Sequence, residues 1–321
     1  MPLSSFDKYY QNLPPFDREK DFDAFWQKAI SDMKRIPVEP VMKQNPKKST
    51  ERFLVFDAAY NGFLKTHING EILIPVSKKK PKVIIHLHEY AKLPSFPHKL
   101  ADAGVAHFFI TLRGHGNLPK AVGNVEPKTP GYMVENILDR ETYYVKSLYL
   151  DIYRSVDMLR LVSDLDCSSI GIIGKGLGAA AAVFTAAHSP RVTALSLLTP
   201  SFCHLPMSQN ISTGDTAAEI NSFIEIARQK KKQIKANLTY FDAMNFSDKI
   251  KIPVLVTVGF RDTVSPPECV FALFNHLLCD KTIEIYPDEG NDAGGEKQYL
   301  KSIKWIIDRI DEPVSGAGAK N

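Results

Sequence analysis

Beyond residue 50 the apolar positions come in short blocks, and the stretches between the blocks carry the spacing of helices. The first two blocks, RFLVFDAAY over 52–60 and THINGEILIP over 66–75, read as strands, and Asn69-Gly70 predicts a turn inside the second. Then KVIIHLH, AHFFITL, SIGIIG, VTALSLLT, PVLVTVGF and TIEIYP alternate with helical stretches at 97–103, 141–163, 177–188, 268–278 and 299–310. Parallel strands need crossover connections and are buried on both faces, so this alternation predicts a doubly wound, mostly parallel α/β sheet with helices on both sides. Before it, Phe22, Phe25, Trp26, Ile30 and Met33 keep helical spacing between Asp21 and Pro37. Residues 1–48 therefore read as an arm packing on a single domain of 49–312. A charged helical insertion lies at about 205–245, and the apolar-poor end, 313–321, is expected to be a disordered tail.

The block at 170–184, IGIIGKGLGAAAAVF, runs from a strand through alternate glycines into small residues. This is how an α/β-hydrolase presents its nucleophile on a sharp turn, but G-x-S-x-G reads here Gly174-Lys175-Gly176-Leu177-Gly178. A dinucleotide fold would need G-x-G-x-x-G in a first βαβ unit, and a phosphate loop would need Gly-Lys-Ser/Thr at the helix start. The elbow fits better. Lys175 gains no nucleophilicity by adjacency alone and reads as solvated.

Composition narrows the function classes. A formal charge of +4 over 321 residues gives no reason to invoke nucleic acid. No apolar run reaches the roughly 18 residues of a membrane span, and the polar N-terminus shows no signal sequence, so a cytoplasmic location is the default expectation. Cys167, Cys203, Cys269 and Cys279 form no C-x-x-C pair, which disfavours a metal site and predicts reduced, buried or half-buried thiols. Nothing in the sequence asks for a cofactor.

From PPFDREKDFDAFW through HEYAK, LRGHGN, ILDRETYYVKSLYLDIYRSVDML and GKGLG to LTYFDAMNFSDKIKIPVLVTVGFRDTVSPPECVFALFNHL and IYPDEGND, nearly the whole chain resembles the acetyl xylan esterase and cephalosporin C deacetylase family, carbohydrate esterase family seven. The resemblance implies an α/β-hydrolase fold in which a serine attacks an acetyl ester, a histidine takes its proton and an aspartate orients the histidine. The aspartate falls on Asp262, the serine on Gly176 and the histidine on Asn291. The oxyanion donors become the backbone N–H groups of Tyr90 and Leu177, although Glu89 and Lys92 replace glycines of that loop. Arg113 matches an arginine read as tying loops, and His115 reads as a hydrogen-bonding loop residue. The family also implies a homo-oligomer, a hexamer, and a small acetylated sugar or other ester as ligand.

Neither glycine nor asparagine can attack a carbonyl or shuttle a proton near neutral pH. No histidine follows His276, so the order Ser, Asp, His cannot be rebuilt from neighbours. Two functions stay open: a pseudo-esterase that binds or assembles, and a carboxylic ester hydrolase with weak or rerouted chemistry.

Overall fold

A computed structural model of the chain describes residues 6–92, 98–117 and 131–310. After two N-terminal helices, α1 (Asp7–Tyr10) and α2 (Phe22–Lys34), come β1 (Val41–Gln44), β2 (Phe53–Asn61), β3 (His67–Pro75), β4 (Lys82–Leu87) and β5 (Ala106–Ile110). The alternation continues with α3 (Tyr144–Leu159), β6 (Asp166–Lys175), α4 (Leu177–His188) and β7 (Val192–Leu198). The insertion holds α5 (Leu205–Ile211), α6 (Asp215–Ile226) and α7 (Lys231–Leu238), and β8 (Val254–Gly259), α8 (Pro267–His276), β9 (Lys281–Tyr286) and α9 (Gly295–Ile310) complete the fold.

The strands form one nine-stranded sheet in the order β1-β2-β3-β5-β4-β6-β7-β8-β9. β1, β2 and β3 pair antiparallel and β3 meets β5 antiparallel, while every pair from β5 through β4 to β9 is parallel. This is the expected α/β-hydrolase sheet. α9 packs its Ile303, Ile306 and Ile310 on Ile84, Ile173 and Ala194 at one face, and the other face meets α2, α3, α4 and α8. Three predictions need correction. The end of the N-terminal arm is itself an edge strand, β1, and β3 runs without a turn through Asn69 and Gly70. Gly70 serves a close approach instead, because a Cβ there would lie 2.4 Å from the carbonyl oxygen of Phe109. The stretch expected to be helical at 97–103 holds, in its described part, one 3₁₀ turn, His98–Leu100. The tail expected at 313–321 lies outside the described residues.

The arm docks through Trp26, which is fully buried, donates from Nε1 to the Tyr240 carbonyl at 2.9 Å and packs on Phe184 with 4.4 Å between ring centroids. The cysteines follow expectation: Cys167, Cys203 and Cys269 are buried, Cys279 is half-buried, and none forms a disulfide.

Beside the strand ends, Arg113 locks three segments together. Its Nε and Nη2 each donate to the Asp151 carboxylate of α3 at 2.8 Å, Nη2 also reaches the Phe63 carbonyl at 2.8 Å, and Nη1 reaches Thr66 Oγ1 at 2.8 Å. Asp151 also accepts the Phe63 N–H at 2.6 Å. The loop-tying role read for Arg113 is what the geometry shows. Burial pushes the Asp151 carboxyl up to about 6, against the pull of Arg113. Removing the guanidinium strands a buried carboxylate, so Arg113→Met should lose roughly 3–5 kcal/mol of stability at neutral pH in chemical denaturation. Because protonation would relieve that charge, the folded variant takes up a proton more readily than its unfolded chain, and the deficit should shrink as pH falls through the raised pKa.

Candidate functional site

The site is built where β6 ends and α4 begins. Gly176 joins them at φ +55° and ψ −120°, outside the comfortable range of residues with a Cβ. A Cβ on Gly174 would lie 2.6 Å from the Gly178 carbonyl oxygen, and one on Gly178 would lie 2.5 Å from the His88 carbonyl oxygen. Three backbones therefore touch here: the strand, the helix and the loop leaving β4.

That loop is held by two histidines. His88 Nε2 accepts the Leu112 N–H at 3.0 Å and His115 Nε2 accepts the Ala91 N–H at 3.1 Å, so each ring carries its proton on Nδ1 and donates it to a carbonyl, that of Glu89 or Arg113. Burial lowers both, His88 to about 4, and keeps them neutral. They are loop pins rather than bases, as read for His115. Tyr90 is pinned from the other side: its Oη donates to Glu219 of α6 at 2.8 Å. The same carboxylate accepts the N–H groups of Gly131 and Met133 at 3.0 and 3.1 Å. Glu219 escaped the sequence reading, since only its charge inside a charged insertion was visible.

The backbone N–H groups of Tyr90 and Leu177 donate to no acceptor among the described residues. Asp262 follows β8 and is 4% exposed; its Oδ1 accepts the Val264 and Ser265 N–H groups at 2.8 and 2.9 Å, and its Oδ2 is buried without a partner. Asn291 is held by its carbonyl, which accepts from Thr199 Oγ1 at 3.1 Å, while its Nδ2 is likewise buried and unpartnered. The Asn291 side chain lies close enough to both Asp262 and Glu89 to favour their ionised forms, without a hydrogen bond of normal geometry to either. Glu89 links the three positions: Gly176 lies under its side chain, and Asn291 and Asp262 both act on its carboxyl.

The space above Gly176 is filled by Glu89. A Cβ on Gly176 would lie 2.9 Å from Glu89 Cγ and 3.4 Å from both its Cβ and its Oε1, so the Glu89 side chain stands where a serine side chain would project. Burial raises the Glu89 carboxyl, Lys175, Lys92 and Asn291 pull it back, and Asp262 pushes it further up. Asp262 is raised mainly by burial, against its two backbone donors. Lys175 is half-buried and pairs with Asp292 at 3.1 Å, rather than standing free in solvent. A front cleft of about 220 Å³ is lined by Glu89, Tyr90, Lys92, Asp215 and Asn291, and a rear pocket of about 250 Å³ by Lys175, Thr199, Thr257, Asn291 and Tyr299. Asn291 belongs to the wall between them.

Comparison with known proteins agrees with this frame. The model of the acetyl xylan esterase family matches residues 1–309. An acetyl esterase of Xylanibacter ruminicola is 23% identical over 314 residues, covering 93% of this chain and 69% of the relative. Among solved structures, the acetyl xylan esterase from Paenibacillus sp. R4 superposes with a TM-score of 0.86 at 27% identity, over 96% of this chain and all of the other. Acetyl xylan esterase 1 from Thermoanaerobacterium sp. JW/SL YS485 shares the fold with a TM-score of 0.84 at 22% identity, over 96% of this chain and 98% of its own.

Gly176→Ser should destabilise the protein by roughly 1–3 kcal/mol, because a side chain enters a strained backbone conformation and must turn Glu89 aside. Adding Glu89→Gly should recover the part due to the collision and leave the backbone part, as thermal denaturation of the two variants would show.

Proposed function

We propose that this chain, which belongs to the acetyl xylan esterase family, uses the family cleft to hold a sugar-sized ligand without hydrolysing it through a serine acyl-enzyme. One observation carries this: Glu89 occupies the volume above Gly176 through which an acyl carbon would be attacked. An acetyl group would have to displace a carboxylate to reach the elbow, and would find no hydroxyl there. Asn291, at the position of the base, has no lone pair basic enough to take a proton. In a serine hydrolase the loss of nucleophile or base alone removes roughly 10⁶ in kcat.

What supports binding is the surviving cleft. It keeps a cavity of about 220 Å³, and the Tyr90 and Leu177 N–H groups have no acceptor among the described residues. Buried polar atoms without partners, Asp262 Oδ2 and Asn291 Nδ2, lie beside it. Such atoms normally find water or ligand. The competing reading, a hydrolase in which a carboxylate activates water, has Glu89 itself in its favour. The homo-hexamer implied by the family belongs to the same proposal and is checked by light scattering.

Wild-type protein should leave an activated acetyl ester at the buffer rate. The triple variant Glu89→Gly/Gly176→Ser/Asn291→His should gain turnover, and the double variant that keeps Glu89 should gain less. Wild-type turnover that disappears in Glu89→Gln would establish carboxylate chemistry and overturn the non-hydrolytic reading.

A further inference from the structure

The cleft and its walls gather more negative than positive charge. Glu89 and Asp215 line the front cleft against Lys92, Asp262 acts on Glu89 from beside it, and in the rear pocket Lys175 is already engaged by Asp292 at 3.1 Å. Lys92 and Lys175 act on Glu89 only at a distance, since neither forms an ion pair with it among the described residues. Asp262 is 4% exposed, and its Oδ2 accepts no hydrogen bond of normal geometry among the described residues. A buried carboxylate left this way is costly, and a second one beside it adds repulsion. A positive group delivered to the cleft relieves both.

We propose that the cleft selects a ligand carrying a cationic, N–H-bearing head, an ammonium on a sugar-sized body, which pairs with Glu89 above Gly176 and is favoured further by the buried charge of Asp262. The proposal rests on the cleft binding without hydrolysis, and it names the ligand's chemistry. Glu89 is the contact because it lines the cleft and the neighbouring Asn291 Nδ2 makes no hydrogen bond of normal geometry to its carboxylate. N–H donors match its acceptors with charge-assisted hydrogen bonds, which are stronger than neutral ones. A metal cation is a poorer fit, since no group of three or more His, Cys, Asp and Glu side chains among the described residues could hold one. Asp262 acts through the protein, where low polarisability leaves its charge poorly screened. The head replaces the acetyl group expected from the family, whose neutral carbonyl would meet a carboxylate in the same space.

Calorimetry on the full chain at neutral pH and low salt, with glucosamine, N-acetylglucosamine and glucose as probes, tests this. Glucosamine should bind roughly tenfold or more tightly than either neutral sugar. Glu89→Gln should erase that preference, and Asp262→Asn should reduce it by a smaller factor. Equal or tighter binding of N-acetylglucosamine, a preference that survives Glu89→Gln, or binding of none of the three would overturn the proposal. The ester assay on wild-type protein is independent: turnover there would sink the non-hydrolytic reading while the binding order still decides the charge preference.

Discussion

Everything at this site follows from one contact: strand, helix and loop backbones meet at the elbow with no room for side chains at Gly174 and Gly178. Placing a Cβ at either would drive it into a carbonyl oxygen, so these segments stay in register whatever chemistry the side chains around them perform. The Tyr90 and Leu177 N–H groups belong to that loop and that helix, so the same backbone contact sets their positions. Asp262 and Asn291 arrive the same way, at the ends of β8 and β9, because the sheet order fixes where those strands end. A fold delivers positions, and the residues at those positions decide the function.

The surroundings of the elbow hold strain as well as orphaned atoms. Thr199, Phe202 and His204 adopt φ values of +39°, +56° and +47° within one short segment after β7. For a β-branched residue such as Thr199 this is a costly conformation. It persists because the segment is tied down at several points: the Thr199 N–H donates to Thr257 Oγ1 at 3.1 Å, its carbonyl accepts from Ser265 Oγ at 2.9 Å, and the Ser201 N–H donates to the Gly176 carbonyl at 3.2 Å. Asp242, buried and pushed up to about 6, accepts the N–H groups of His204 and Leu205 at 2.9 and 2.6 Å. Strain and unsatisfied groups together mark a region shaped for something other than maximal stability.

Much of the fold was legible because periodicity reports burial. The blocks from 82 to 310 became β4 to β9 with their helices, except that 97–103 holds only a 3₁₀ turn in its described part, and the elbow glycines announced close backbone contact. Local turn chemistry misled at Asn69-Gly70, where Gly70 answers to the Phe109 carbonyl of a neighbouring strand, a contact no local window contains. β1 was missed for a similar reason: Val41–Gln44 is four residues on an exposed edge, and its strand character comes from pairing with β2. At the site, the identities at Gly176, Asp262 and Asn291 could be read position by position. The reach of Glu89 over the elbow could not, because it depends on how a loop after one strand lies on the turn after another. The anchoring of Tyr90 by Glu219 is hidden equally well.

Gly176 and Glu89 are best understood as a single change. A serine at 176 would bring a Cβ to within 2.9 Å of Glu89 Cγ, so the glutamate conformation present here depends on the glycine. Conversely, with glycine at 176 the space above the elbow is open to Glu89, whose Cγ, Cβ and Oε1 are the atoms nearest to it. On the proposed reading, the pair makes the centre of the cleft one that attracts positive charge. Asn291 fits that new centre, since an amide beside two carboxylates favours their ionised forms without adding a charge of its own, which an imidazolium would do. On that reading Gly176, Glu89 and Asn291 act in one direction.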